Sequence, residues 1–505
     1  MMVARESLYY ALYYPLTMHT PFRNLVHVTL HECKFNFLPK EFGTLHHLQE
    51  ITLSSNYVVN TTQSAWEWLE QDSMRNNLKS LKIMHYDLPE LPLQITCLKN
   101  LTVLYMTSLR ISSLPKEFGN LPLLELDLSN NDLGRSNQSA WEWLMQAPIR
   151  NSLRELNLSH NYITAIPLQI ICLKNLHFLY LFKNKIKFIP KEFGILSQLI
   201  VLNLMDNLLG TCQHSTWEWL EMPIRDNLSL RHLNICGNFL TEFPLQITCL
   251  KNLQSLNISR NKINFLPKEL GTLPHLLYLD LTSNYLGKYN CKAWEWLEQT
   301  EVRNKLIILY LSDNLLTVLP PQIGKLNALI TLWLGGNKLK CLPQSLANLK
   351  NLIFLDLSNN DLLYLPGSVS HLNPYIYVDG NPFNLMIDDD SDDDTDDDSD
   401  DDSGDDLTTN LKVPSLVDCS AEVILKYGLD YTNYGLPEGL IRYMDNERHC
   451  FLCNNPCFRY YEKRFINYPE YYEILHFKFQ GSSSIQKASF ECYVCSSNCA
   501  EMLKN

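Results

Sequence analysis

The sequence predicts an α/β solenoid: a curved parallel sheet built from about fifteen repeats, then an acidic linker and a small cysteine-rich C-terminal domain. Three observations carry this. Leucines recur in a nine-residue template, LxxLxLxxN, usually every 23 residues, from residue 25 to residue 381. A Trp-Glu-Trp triplet returns at Trp66/Trp68, Trp141/Trp143, Trp217/Trp219 and Trp294/Trp296, at intervals of 75, 76 and 77 residues. The composition then changes abruptly: residues 388 to 406 hold 14 Asp and no Lys or Arg, and seven of the 15 Cys fall between residues 419 and 499.

The template is cleanest at Leu156/Leu158/Asn161, Leu179/Leu181/Asn184, Leu256/Leu258/Asn261, Leu309/Leu311/Asn314, Leu332/Leu334/Asn337 and Leu355/Leu357/Asn360. The second half of each repeat reads LPxxIxxL, as in Leu319-Pro320-Pro321-Gln322-Ile323. This is a leucine-rich-repeat array, expected over residues 25–386. One coil cannot bury its own leucines, so neighbours stack into a continuous core. The ninth-position Asn both donates and accepts, so its side chain is suited to the backbone groups left where the strand bends away. Pro suits the opposite, irregular side, where no sheet hydrogen bond is needed. Residues 1–24 read as an N-terminal cap or frayed segment, Tyr-rich, broken by Pro15 and without a small-residue cleavage site.

The tryptophans fall in the long steps of the array, which run 30 or 31 residues instead of 23: Leu48 to Leu78, Leu123 to Leu153, Leu199 to Leu230 and Leu276 to Leu306. Every third repeat therefore carries an inserted helical turn or two, and the spacing records duplication of a three-repeat block. Ser64 with Glu67, Ser139 with Glu142 and Ser215 with Glu218 have capping-box spacing, which Lys292 breaks in the fourth copy. Residues i and i+2 of a helix point to different sides, so one Trp of each pair is expected to plug the core while the other stays partly exposed.

Scaffolds of this kind bind on the concave face, whose chemistry lies in the non-leucine strand positions. Most of those positions hold Ser, Thr, Asn or Asp. Two patches differ: Phe178, Tyr180 and Phe182 on one strand, and Tyr278, Tyr310, Trp333 and Phe354 on four successive strands. At about 4.8 Å per strand the second patch forms an aromatic strip about 15 Å long. Such clusters, which internal packing does not demand, are the usual interface anchors, so a protein partner is expected there, the alternative being cover by the chain's own C-terminal domain.

Residues 387–410 are expected to be a disordered linker, because dense like charge without apolar residues cannot bury enough surface to fold. Ser391, Thr395, Ser399 and Ser403 each have Asp three residues on, a pattern that suits acid-directed phosphorylation. The fixed Gly and terminal Glu of a Ca²⁺ loop are missing. Adding back the 14 Asp charges of the run to the formal −13 leaves about +1 for the rest of the chain. Nothing here is a basic footprint for nucleic acid. No run reaches the roughly 18–20 apolar residues that span a membrane, and the scattered Cys outside the tail read as reduced thiols of a cytoplasmic protein. With no glycine-rich phosphate loop, no HExxH and no recognisable nucleophile, no catalytic or cofactor-binding residue is assigned and the chain is not expected to be an enzyme.

Residues 411–505 carry the most specific chemistry, a helical and zinc-binding-like domain. Cys450-x2-Cys453 and Cys492-x2-Cys495-x3-Cys499 supply close-spaced thiolates from two turns, which is what structural Zn²⁺ requires. The expected ligands are Cys450, Cys453, Cys495 and Cys499, with Cys457 and Cys492 as alternates; the alternative to a metal site is a cluster of reduced thiols in a small core. Upstream, Ser415-Leu416-x3-Ser420-x3-Ile424 resembles the elongin-binding box of cullin-ligase substrate receptors, and Leu436-Pro437-x2-Leu440-x3-Met444 is similar to the cullin-selecting box that follows it. The layout also resembles short intracellular leucine-rich-repeat proteins that end in a Pro-Ser-Leu helix, a CxxC and a CSxxC. That resemblance implies a substrate-recognition subunit of a ubiquitin ligase, with an elongin/cullin-type adaptor on these residues. The chain departs from it in the Asp-rich run, the Trp-Glu-Trp inserts and Ser420. The alternative is a signalling scaffold that binds a small GTPase or phosphatase and has no ubiquitin role.

Overall fold

This computed structural model describes residues 24–31, 38, 40–54, 63–86, 88, 91–135, 138–211, 217–221, 228–287, 291–372, 375–383, 416–426, 436–445, 448–453, 455–457, 462–467, 478–479, 489–495, 499 and 502. Residues 1–23, the acidic run with its four Ser/Thr sites, Ser215 and Ser415 lie outside the described residues. So do the side chains of Ser64 and Ser139, and with them the capping boxes.

The described residues fall into two units. In the first, Met1–Ile263 with Leu273–Leu276, ten short parallel strands follow one another in chain order: β1 His27–His31, β2 Glu50–Ser54, β3 Ser80–Met84, β4 Val103–Thr107, β5 Glu125–Asp127, β6 Glu155–Asn157, β7 Phe178–Tyr180, β8 Val201–Asn203, β9 His232–Asn234 and β10 Ser255–Asn257. The register keeps like with like. Leu156 pairs with Leu179 and Leu179 with Leu202, and all three are fully buried.

The ninth-position asparagines form a ladder behind the strands. Asn184 Nδ2 donates to the carbonyls of Leu158 (3.0 Å) and Leu181 (2.9 Å), while its Oδ1 accepts from the amides of Asn161 (3.0 Å) and Ile163 (2.9 Å). One side chain thus ties together two coils that the strand pairing has already left. The residue before each Asn turns left-handed to bring the amide round: His160 has φ 56°, Lys183 52° and Arg260 53°. At Gly237 (φ 67°) the same turn falls on the residue that adopts it without strain.

The inserts differ from expectation in one respect. They are eight-residue 3-10 stretches, Gln63–Glu70 and Gln138–Met145, each followed by a one-turn helix, Asp72–Asn77 and Ala147–Ser152. Both tryptophans of the first three pairs are buried; neither member stays exposed. On the narrow 3-10 coil the two rings lie side by side, 6.3 Å between centroids at Trp141 and Trp143. The second ring of each pair meets a phenylalanine of the preceding repeat edge-on: Phe42–Trp68 at 5.5 Å, Phe118–Trp143 and Phe193–Trp219 at 5.4 Å. The glycine that follows Phe42 or Phe118 abuts the carbonyl of Trp68 or Trp143, where a Cβ would collide. The indole N–H of Trp143 is buried without an acceptor, so the ring is held by packing.

In the second unit, Asn264–Thr272 with Leu277–Asn505, the strands are β11 Tyr278–Asp280, β12 Ile308–Tyr310, β13 Thr331–Trp333, β14 Phe354–Asp356, β15 Tyr364–Pro366, β16 Tyr375–Tyr377, β17 Glu462–Asn467, β18 Lys478–Phe479 and β19 Ser489–Val494. The fourth insert, Cys291–Glu298, belongs here. Leu270 replaces the phenylalanine, and Trp294 is half-buried while Trp296 is fully buried. Strands β11, β12, β13, β14, β16 and β18 form one parallel sheet, and β15, β19 and β17 form a second.

The tail is joined to the last repeats by strand pairing at two places. β18 adds to β16, and β19 runs parallel to β15 and antiparallel to β17. Lys325, from the repeats, reaches Asp445 at 2.6 Å, with side chains 15% and 3% exposed. A nearly dry ion pair is costly to break from one side, because the surviving charge stays buried. Lys325→Met is expected to cost about 3–5 kcal/mol, read as a lower denaturation midpoint and earlier proteolytic release of the tail. The double variant Lys325→Met/Asp445→Leu should recover most of that loss.

Candidate functional site

The sheet face of the second unit carries a row of rings. Tyr278 lies 5.5 Å from Tyr310, Tyr310 lies 5.7 Å from Trp333, and Trp333 stacks on Tyr377 at 6.4 Å with 20° between planes. Trp333 and Tyr377 belong to alternate strands, β13 and β16. They lean together over Asp356 of the strand between, whose Oδ1 accepts from the amide (2.9 Å) and hydroxyl (2.6 Å) of Ser358. A short, satisfied carboxylate beneath makes room for that stack. Phe354, expected in the strip, instead stacks on Tyr375 at 5.5 Å and is 39% exposed. Tyr278, Tyr310, Trp333, Tyr375 and Tyr377 are half-buried, so the rings keep surface open to solvent.

Sequence reasoning missed Tyr375 and Tyr377. Their repeat reads Ile376-x-Val378-x2-Asn381 with no leucine in the template, and that spacing of Ile, Val and Asn was the signal available. In the first unit Phe178, Tyr180 and Phe182 are half-buried on one strand face, with His160 edge-on to Phe182 at 5.4 Å. Beside Tyr180, Glu155 has its carboxyl pushed up by burial and by the charges of Glu125 and Asp127. Tyr105 is pushed up to about 12, by burial first and then by Glu125.

In the tail, the Sγ atoms of Cys450, Cys453, Cys495 and Cys499 all lie within 4.8 Å of one another. Cys453 and Cys495 are 3.4 Å apart, and Cys495 and Cys499 are 3.8 Å apart. Tetrahedral thiolates around one zinc, each at about 2.3 Å from it, would sit about 3.8 Å from one another, so the set fits such an ion. Local structure brings the four together. The Cys450 amide donates to Asn455 (2.8 Å) and the Phe451 amide to Tyr493 (2.7 Å), which closes the Cys450–Cys457 turn and pins it to β19. Cys495 follows directly from that strand.

The proton arrangement of the cluster is uneven. The Cys450 thiol is lowered to about 3, chiefly by a hydrogen bond from Cys457 and against the effect of burial. Desolvation and neighbouring thiols push Cys495 up, and Cys453 is also raised, with desolvation first. Ionisation of Cys453 and Cys495 is thus opposed first by desolvation, a cost that a divalent cation bound to the thiolates would offset. Cys457 is buried and raised by its bond to Cys450. Cys492 is buried against Gly367, where a Cβ would meet its sulfur. Neither belongs to the four.

The box-like segments form two helices, Leu416–Lys426 and Glu438–Asp445. On the first, Val417, Ser420 and Val423 are exposed and Ile424 is half-buried. At the second, Pro437 is exposed and starts the helix by accepting the Leu440 amide at 2.9 Å; Leu436 and Leu440 are half-buried. Met444, expected to meet an adaptor, is 3% exposed. Its neighbour Asp445 is drawn in by Lys325, so Met444 faces the chain's own interior.

A solved structure of a leucine-rich-repeat protein of Leptospira interrogans is 30% identical to this chain, with a TM-score of 0.59 over 95% of that protein and 76% of this one. The chain belongs to the leucine-rich-repeat family. Leucine-rich-repeat profiles match residues 229–286 and 304–362, and a two-copy profile matches 151–191. Among curated relatives, mouse leucine-rich repeat serine/threonine-protein kinase 1 is 29% identical over 51% of this chain, which spans 14% of that protein. Human leucine-rich repeat protein 1 is 31% identical over 26% of this chain and 36% of its own length. The Toll receptor in its complex with Spätzle, from Drosophila, shares the fold with a TM-score of 0.57 at 19% identity, over 74% of this chain and 49% of that one. Leucine-rich-repeat arrays mediate protein–protein contact, and the half-buried ring row suits that use. Among the described residues, no helix is long and apolar enough to cross a membrane.

Proposed function

We propose that this protein captures another protein on the concave sheet face of its C-terminal unit and presents it, through its tail, to a cullin-type ubiquitin ligase. The observation that supports capture most directly is the continuous row Tyr278–Tyr310–Trp333–Tyr377, four rings in contact on strands whose other faces already fill the core. Large rigid rings left at a surface are where binding energy concentrates. The helix Leu416–Lys426, with Val417, Ser420 and Val423 turned to solvent, would dock an elongin-type adaptor, and Leu436, Pro437 and Leu440 would select the cullin. Zn²⁺ held by Cys450, Cys453, Cys495 and Cys499 would be structural, fixing the turn and β19 against the last repeats.

A second reading, a signalling scaffold for a small GTPase or phosphatase, is favoured by two relatives whose names are those of signalling enzymes: the mouse kinase and the adenylate cyclase of fission yeast, 31% identical over 42% of this chain. One experiment separates the two. Affinity purification of the Leu416→Ala/Leu440→Ala variant should lose cullin at least tenfold under the ligase reading, with the captured protein retained. Cullin recovery that is unchanged, or absent from the wild type, supports the scaffold. Tyr310→Ala/Trp333→Ala should lose the captured protein and keep the cullin.

A further inference from the structure

The ring row is bordered by apolar surface where the strands enter and by carboxylates beside and beyond it. At the entry, Leu277 (36% exposed), Ile353 (45%) and Phe354 (39%) leave apolar surface in water, with Phe354 on the same rung as Tyr278. Asp280, half-buried at the last position of β11, is paired in register with Tyr310, on the rung that also carries Trp333, Asp356 and Tyr377. Asp313 is exposed three residues after Tyr310. From the entry to Asp313 the face spans about 20 Å, six residues at about 3.3 Å each.

The acidic part of the face lacks counter-charge. The strand positions of β11 to β14 and β16 contain no Lys or Arg. Asp280 Oδ1 accepts the Thr282 amide at 3.0 Å, and among the described residues neither Asp280 nor Asp313 pairs with a cation. Gly336, across from Asp313, has no side chain; a Cβ there would strike the Asp313 carboxylate.

We propose that the segment gripped by this face is a cationic amphipathic one, with apolar side chains seated on Leu277, Ile353 and Phe354 and at least one arginine directed to Asp280 and Asp313. This rests on the capture reading above. Arginine fits both halves of the surface, because its guanidinium pairs with a carboxylate while its plane lies on Tyr310 or Trp333. A segment with acidic residues on that edge would bring like charges together beside an apolar surface that screens them poorly, so the face also rejects such partners.

The test uses the full chain and two synthetic peptides of equal length with the same Leu, Ile and Phe content, one carrying Arg and the other Glu at the remaining positions. Fluorescence anisotropy at low and moderate salt is expected to show the Arg peptide binding at least tenfold more tightly, with the preference shrinking as salt rises. Asp280→Asn/Asp313→Asn should remove most of that preference, and Tyr310→Ala/Trp333→Ala should lose both peptides. The acidic run 388–406 remains in every variant, so an Arg preference that survives Asp280→Asn/Asp313→Asn belongs to that run and overturns the proposal. Binding that needs the rings yet ignores peptide charge also overturns it while leaving capture intact. Binding indifferent to Tyr310→Ala/Trp333→Ala overturns the capture reading, and binding of neither peptide overturns the proposal.

Discussion

Trp143→Ala is expected to destabilise the first unit by about 3–5 kcal/mol, the range for deleting a fully buried aromatic side chain. The ring has no exposed surface, packs edge-on against Phe118 at 5.4 Å and lies beside Trp141 at 6.3 Å. Its truncation leaves a void that the rigid leucine stack on one side and the 3-10 coil on the other cannot close. Because stability in a stacked array depends on neighbours, the damage should be local. Hydrogen exchange should quicken first between residues 116 and 161, before global unfolding. Glu142→Ala, at the exposed residue between the two rings, should stay within about 0.5 kcal/mol of wild type. Trp294→Ala, at the half-buried position, should cost less than Trp143→Ala. Equal losses at Trp143 and Glu142 would remove the packing argument.

The second large effect is expected in the tail. Purified protein should carry one equivalent of zinc, and chelation should unfold the Cys450–Cys457 turn and the end of β19. Structural zinc in small modules contributes an apparent binding free energy of about 10–16 kcal/mol near neutral pH. That exceeds the roughly 3–5 kcal/mol of a single fully buried aromatic ring. Cys453→Ser/Cys495→Ser should abolish zinc retention and make the tail protease-sensitive, whereas Cys341→Ser, at an exposed thiol outside the four, should change neither. A tail that is metal-free as isolated yet resists proteolysis as well as any zinc-loaded preparation would sink this assignment.

Much of this structure could be read from residue spacing, because a repeat states its geometry many times. Buried leucines, the asparagine ladder and an insert in every third coil all follow from a template matched over and over. The four cysteines were legible as well, since short thiol pairs have few geometries. What escaped was set by contacts distant in sequence. Phe118 and Gly119 lie more than twenty residues before the tryptophan they receive, and neither departs from an ordinary repeat until the insert is in place. The pairing of β15 with β19 spans a stretch whose composition announces a linker. Tyr375 and Tyr377 were hidden by a last repeat that had lost its leucines, and Met444 was misplaced because a pattern on one helix face does not reveal which side an ion pair with Lys325 will draw inward.

The fit of Gly119 to the carbonyl of Trp143 also bears on how such a chain can change length. The contact ties each thickened coil to the one before it, so neither of those two coils can be spliced out alone without leaving either an indole with no seat or a seat with no indole. The third coil of each block, such as the one that holds Leu168–Cys172, carries neither partner and is free of that constraint. Loss or gain of a coil is therefore not equally tolerated at every place along the array.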